Sequence, residues 1–362
     1  MKVTQIRTVQ VQIPFERPLR TSIHHVEGVD AVLLFVDTDA GITGESYLFA
    51  FGAAKLGVLE GMVRSLEHHL IGKDPHMRQQ VWTEMWRDIN FLGHKGVPVF
   101  AVSALDAAAW DIVGKAHGLA VHKMLGGARG RIPAYHSGGL WVSMSVDELV
   151  AEAKAFVADG YRAVKMRLGK KNLSEDVERV AAVREAIGPD VALMADANQG
   201  FSVNHAIRLG RAIEPYHLAW FEEPVQAYDL EGSARVAAEI DTPIASGETE
   251  NARYGFADML ERRSADVLMP DLQRVGGISE FMKVAHMAEA KDVPVSPHLF
   301  TEQCLQLCGA IANCNYAEYM PWFEPLYHER LVLEDGELLI PDRPGLGFTF
   351  DPEAVARFRV GD

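Results

Sequence analysis

From about residue 128 the chain repeats one pattern. Short strand-like runs begin at "IPAYHS", "YRAVKMRLG", "VALMADANQG", "LAWFEEPV", "TPIASGE", "ADVLMPDLQ", "VPVSPHLF" and "YAEYMPW". Helical stretches such as "VDELVAEAKAFVADG" and "LSEDVERVAAVREAIG" lie between them. Regular strand–helix alternation predicts an α/β fold with a parallel sheet, and eight strands suit a closed (β/α) barrel. An open doubly wound sheet is the structural alternative. The strand count fits closure better, and no glycine-rich phosphate loop follows an early strand.

The first 127 residues read differently. "VTQIRTVQVQIP" and "DAVLLFVDTDAGITGES" alternate apolar and polar residues, which predicts antiparallel strands. Three helical segments follow, and "LGGARGRIP" then breaks the periodicity. The expected organisation is an α+β capping unit over 1–127, a barrel over 128–325, and a tail over 326–362. In that tail "RLVLEDGELLIP" is expected to return to the first unit.

The formal net charge of −15 on 362 residues argues against nucleic acid as the main partner. No unbroken apolar run reaches the roughly 18–20 residues of a bilayer span, so no membrane partner is expected. The start, "MKVTQIRTVQVQIPF", lacks the continuous apolar segment of a signal peptide. Cys304, Cys308 and Cys314 are expected in one helix, "TEQCLQLCGAIANC", as buried apolar side chains rather than metal ligands. An odd cysteine count without a signal fits a reducing cytoplasm.

In a barrel, functional groups project from the C-terminal strand ends. Asp196, Glu222 and Glu248 end three consecutive strands at equal separations of 26 residues, which predicts three carboxylates at one height in one mouth. Each acid could instead pair with a local base or cap a helix. Together they repel unless a cation holds them, and an oxygen-only set suits Mg²⁺ first and Mn²⁺ second. Asp271 and His298 end two later strands; a carboxylate–imidazole hydrogen bond between them would make His298 a general base. Glu318 ends the last strand and is expected to donate a hydrogen bond to a developing oxyanion. Lys165 and Arg167, two apart on one strand, face one side and would neutralise an anionic ligand.

These motifs resemble the enolase superfamily and, within it, the mandelate racemase subgroup. The likeness runs through "GITGESYLFAF" and "SALDAAAWDIVGKAHGLAVHKMLGG" in the first unit. It continues through "VKMRLG", "MADANQG", "WFEEP", "SGE", "MPDLQRVGG", "SPHLF" and "AEYMPW" in the barrel. It implies a modified (β/α)₇β barrel with one Mg²⁺ on Asp196, Glu222 and Glu248. It further implies a small-molecule carboxylate substrate that loses its α-proton to give an enediolate. His298 with Asp271 matches the base, Glu318 the acid, and Lys165 the contact to the substrate carboxylate. The resemblance also implies a homo-oligomer, often an octamer.

One position departs from the pattern. The family commonly has Lys-x-Lys where this chain has Lys165 and Arg167. A guanidinium is a poor base, so the second base of a racemase is missing and a one-base dehydration of a sugar acid or hydroxy-diacid is favoured. Arg167 is then expected to hold a substrate hydroxyl or second carboxylate in a forked hydrogen bond. A racemase or epimerase, a lactone cycloisomerase and a non-catalytic ligand-binding homologue are the rivals. Further substrate contacts are expected from Asn198, from Arg20, His24 and His25 in "RPLRTSIHHVEG", and from Tyr47, Phe49 and Phe51 in "YLFAF". Solvation of the first group and core packing of the second are the competing readings.

Overall fold

The computed structural model of the chain describes residues 1–360. Strands β1 (Val3–Arg20), β2 (His25–Thr38) and β3 (Thr43–Ala50) form an antiparallel sheet, with Val11 opposite Ala31 and Leu33 opposite Tyr47. β2 is apolar on both faces because both are covered. Ala31 and Leu33 join Tyr47 and Phe49 in a core that continues into the barrel. Val32, Leu34, Val36 and Leu48 pack instead on the cap helices Leu56–Leu66, Arg78–Asp88 and Val97–His117.

The helix Val97–His117 is long and apolar enough by composition to cross a membrane, although "VPVFAVSALDAAAWDIVGKAH" contains charged residues. Its most apolar window is 78% buried inside the fold, so internal packing accounts for that composition. Gly44 permits the close approach of this helix to β3, since a Cβ there would lie 2.3 Å from the Ala108 carbonyl oxygen.

The barrel comprises β4 (Arg131–His136), β5 (Ala163–Arg167), β6 (Ala192–Asp196), β7 (Trp220–Glu222), β8 (Ile244–Ser246), β9 (Val267–Leu268) and β10 (Ala317–Tyr319). Neighbours from β4 to β9 pair in parallel, and β10 pairs with β4. The expected strand at "VPVSPHLF" contributes only bridges, Leu268 to Val295, Asp271 to His298 and Val295 to Cys314. Pro294 and Pro297 have no N–H to give a ladder, which keeps that position short. Helical connections join these eight positions and none follows β10 in the wall, giving a (β/α)₇β barrel. Tyr135, Met194, Trp220, Val267 and Met269 fill its interior beneath the mouth.

The tail corrects one expectation. "RLVLEDGELLIP" does not return to the cap; its hairpin, β11 (Leu333–Glu334) and β12 (Glu337–Leu339), pairs antiparallel with Arg131–Pro133 of β4. β4 leaves that edge open below the mouth, and the hairpin covers it. Only later residues reach the cap: Gly345 bonds Leu119 and Val121, and the helix Pro352–Phe358 lies by β1. Cys304 and Cys308 lie in the helix Thr301–Ala310, whereas Cys314 falls beyond its end; all three are buried free thiols.

Candidate active site and metal centre

Ladder register sets the heights at the barrel mouth. Arg167 is opposite Asp196, and Asp196 is opposite Glu222. Glu222, however, faces Ala245, so Glu248 lies three residues beyond that level, past Gly247 at φ 129°. Equal spacing therefore gives equal height to two of the acids, while the third reaches in from a turn.

Each acid has its own cation. Lys165 Nζ lies 2.8 and 3.0 Å from the Glu222 oxygens, Arg167 Nε 3.3 Å from Asp196 Oδ2, and Arg274 Nη1 3.4 Å from Glu248 Oε1. Lys165 also pairs with Glu318 at 3.0 Å, and its pKa is raised: burial opposes its charge, but Glu222 and Glu318 outweigh burial. Trp220 Nε1 donates to Glu222 at 3.0 Å, and Asn198 donates its backbone N–H and side-chain amide to the two oxygens of Asp196. Burial still drives Asp196 upward and Glu222 up to about 8, despite Lys165.

His298 and Asp271 meet as expected. They form a direct bridge, with His298 Nδ1 2.8 Å from Asp271 Oδ2. Asp271 Oδ1 accepts the Arg274 N–H at 2.9 Å, which caps the turn Leu272–Val275 and fixes the carboxylate. His298 Nε2 points into the mouth, 3.3 Å from Glu248 Oε2. Burial opposes an imidazolium here, yet Glu248, the Asp271 hydrogen bond and Glu318 together raise the His298 pKa.

Glu318 and Arg167 lie in the mouth, whereas Tyr47, Arg20 and His25 depart from expectation. Glu318 stands in the mouth as an acceptor. It accepts the Leu299 N–H at 2.7 Å and pairs with Lys165. Burial pushes its pKa up, but Lys165, His298, Ser137 and that N–H bring it to about 2. Arg167 is partly engaged: its Nε faces Asp196, its Nη1 donates to the Lys165 carbonyl at 3.4 Å, and its Nη2 donates to Ser137 Oγ at 2.9 Å, which leaves a second N–H on each Nη. Tyr47 lies in the core, with ring centroids 4.7 Å from Phe300 and 4.6 Å from Phe323, and does not line the cavity. Arg20 is exposed at the end of β1, outside the cavity lining, and His25 is likewise exposed.

The cap reaches the mouth through the hairpin tip 21–24. Ser22 Oγ donates to the Ala197 carbonyl at 2.6 Å, which places Thr21, Ile23 and His24 in the cavity wall with Phe49 and Phe51. Burial, then Lys55, lowers the His24 pKa. The cavity, about 120 Å³, also contains Asn198, Trp141, Thr249, Arg274, Met320 and Trp322. Three loops that leave strand ends adopt left-handed backbone without glycine: Asn198 and Gln199, Glu223, and Leu299 and Phe300. Such strain costs roughly 1–3 kcal/mol per residue and gathers at functional sites.

The comparisons with known proteins agree with this geometry. Residues 3–126 match the mandelate racemase/muconate lactonizing enzyme N-terminal domain, and residues 148–354 match the enolase C-terminal domain-like family. The chain belongs to the enolase superfamily. Its relatives include L-talarate/galactarate dehydratase of Salmonella typhimurium, 35% identical over 87% of this chain and 79% of that one. Another is 3,6-anhydro-alpha-L-galactonate cycloisomerase of Streptomyces coelicolor, 32% identical over 99% and 100%. A solved enolase from Bradyrhizobium, complexed with magnesium and mandelic acid, superposes with a TM-score of 0.93 at 33% identity, covering 99% of both chains.

As an enolase-superfamily barrel, the mouth suits a hard divalent ion. The donors are carboxylate oxygens, and the buried Asn198 Oδ1 beside Asp196 has no hydrogen-bond partner. Sequence reasoning missed Ser137, Glu223, Arg274, Trp141, Met320 and Trp322. The doubled acid in "WFEEP" was the one available signal for Glu223; it is buried, with its oxygens facing Gln199 and Thr249.

Proposed function

We propose that this protein dehydrates a sugar acid to a 2-keto-3-deoxy acid. The observation that carries the reading is a single base. His298 is the imidazole in the mouth that a carboxylate, Asp271, orients as a base, while Arg167 stands where the resemblance puts the second base of a racemase. Mg²⁺ on Asp196, Glu222 and Glu248, when bound, supplies positive charge to the substrate carboxylate and so acidifies its α C–H. His298 Nε2 takes that proton. The C–H electron pair becomes the Cα=Cβ bond, the β-hydroxyl leaves with the proton that the imidazolium returns, and the enol tautomerises to the ketone. Lys165, held by Glu222 and Glu318, balances the charge that grows on the carboxylate.

Ring-forming or ring-opening isomerisation needs the same single base. It is the second reading, favoured by a cycloisomerase relative that matches 99% of this chain. Incubation of a sugar-acid library with Mg²⁺ in D₂O, read by NMR and mass spectrometry, separates the readings. A keto acid lighter by one water supports dehydration, and an isomeric product supports cycloisomerisation. Recovered substrate carrying α-deuterium with inverted configuration rejects both. The buried free thiols fit the cytoplasm as the proposed compartment.

A further inference from the structure

Away from the mouth, a second cluster gathers metal-ligand atoms. His68 and His69 each bring a ring nitrogen, and Asp88 a carboxylate oxygen, within 4.8 Å of one another. The two histidines lie in the turn Glu67–His69 that continues the helix Leu56–Leu66, and Asp88 ends the helix Arg78–Asp88. Neither helix lines the cavity, so the cluster belongs to the cap and stands apart from the proposed reaction.

The separations suit one ion. Tetrahedral Zn²⁺, with bonds of roughly 2.0–2.1 Å, holds its ligand atoms roughly 3.3 Å apart. His69 Nε2 lies 3.0 Å from Asp88 Oδ2, and His68 Nε2 lies 4.0 Å from the same oxygen. A small shift of the exposed His68 ring closes the second gap.

Both rings are also oriented from outside the trio. His68 Nδ1 lies 3.0 Å from the Ser65 carbonyl oxygen, which only accepts. The proton therefore sits on Nδ1, and the neutral ring turns its Nε2 lone pair toward Asp88. His69 stands between two carboxylates, with Asp88 at Nε2 and Glu84 Oε2 4.0 Å from Nδ1. A neutral imidazole has one N–H, so one of its two sides also sets a lone pair against a carboxylate. Lys73 Nζ, 3.4 Å from Glu84, offsets that acid, and among the described residues Asp88 pairs with the two rings alone. A divalent ion resolves all of these contacts. It takes both Nε2 lone pairs and Asp88, and it leaves the His69 Nδ1–H to Glu84 in a carboxylate–histidine–metal arrangement.

We propose that His68, His69 and Asp88 bind Zn²⁺, with water as the fourth ligand, and that the ion clamps the ends of the two cap helices together. Two imidazoles favour a late first-row ion, whereas the all-oxygen mouth suits Mg²⁺. The rival state holds no metal: an imidazolium at His69 bridges Asp88 and Glu84.

The test titrates Zn²⁺ by calorimetry into the Mg²⁺-saturated protein at neutral pH, for the parent, His68→Ala and Asp88→Asn. The two side chains are 63% and 47% exposed, so both variants should fold. The parent should bind Zn²⁺ with a Kd below about 10 µM. Each variant should lose this site's affinity by roughly 100-fold, while any Zn²⁺ taken by the mouth stays the same. Zn²⁺ should raise the melting temperature of the parent by a few degrees, and both variants should lose that rise. Crystals soaked in Zn²⁺ and measured at the zinc edge should show a peak between the two rings and Asp88. Weaker binding in the parent, or variants that bind as the parent does, overturns the proposal. So does a peak confined to the mouth or to the pair His76 and His117, whose Nε2 atoms lie 3.0 Å apart. Binding at the trio without the rise in melting temperature overturns the clamp.

Discussion

Replacing Asp271 by asparagine should disable the base without removing it. Asp271 Oδ1 accepts the Arg274 backbone N–H at 2.9 Å, and Oδ2 faces His298 Nδ1 at 2.8 Å. Asparagine has one acceptor oxygen, and the backbone N–H claims it. The amide NH₂ then faces His298, so Nδ1 must accept and the ring proton moves to Nε2. That nitrogen can no longer take the α-proton. Turning the amide over restores the tautomer but strands the Arg274 N–H, at roughly 1–3 kcal/mol. Losing the charged partner of the imidazolium removes roughly 1.5–3 kcal/mol more. Together these raise the barrier by about 2.5–6 kcal/mol, a loss of roughly 10²–10⁴ in kcat/KM. Asparagine remains a good N-cap, so the fold should persist. Product release would be followed by a keto-acid assay from pH 5 to 9, with Mg²⁺ affinity measured by calorimetry. A loss below ten-fold with an unchanged pH profile, or a matching loss of Mg²⁺ affinity, would refute the tautomer argument.

Two further predictions concern stability and the seam between cap and barrel. Glu302 is buried with both carboxylate oxygens unpartnered, and burial pushes its pKa up to about 8. Between the ordinary 4.5 and that value, the folded chain keeps a proton that the unfolded chain has released. Stability therefore falls as pH rises through this window, by at most ~1.4 kcal/mol per pH unit. Glu302→Gln should flatten that slope, matching the parent at pH 4 and exceeding it by roughly 2–4 kcal/mol at pH 9 in thermal melts; parallel melting curves would count against it. Gly169→Ala puts a Cβ 2.8 Å from Ser22 Cβ at φ 142°. The hairpin tip should lift from the mouth, so KM should rise several-fold and stability fall by roughly 1–3 kcal/mol; an unchanged KM would show that the tip does not seat the ligand.

Much of the site was legible because β/α units have a regular length. Strand ends recur at near-constant spacing, so Asp196, Glu222, Asp271 and His298 could be placed from the sequence alone. The same regularity misled at Glu248, because register depends on local ladder pairing and on the turn at Gly247, not on residue count. Tyr47, Phe49 and Phe51 share a face by strand alternation. Their distance from the mouth is a tertiary fact, and it left Tyr47 in the core. The direct pairing of Lys165 with Glu318 joins residues 153 apart in the chain, and such a contact follows from tertiary packing that no local pattern marks. Ser137, Arg274 and Trp322 come from loops whose chemistry follows from contacts between elements, and no periodicity marks them.

The central claim is one divalent ion at the barrel mouth, within reach of His298. Crystals grown with Mn²⁺ in place of Mg²⁺ and measured at the manganese edge would locate it directly. The account predicts an anomalous peak within roughly 2.3 Å of oxygens from Asp196, Glu222 and Glu248, on the side that His298 Nε2 faces. Among the described residues the surface trio His68, His69 and Asp88, and not the acids of the mouth, brings its ligand atoms within 4.8 Å of one another. A peak confined to that trio, or none at the mouth at saturating Mn²⁺, would contradict the account.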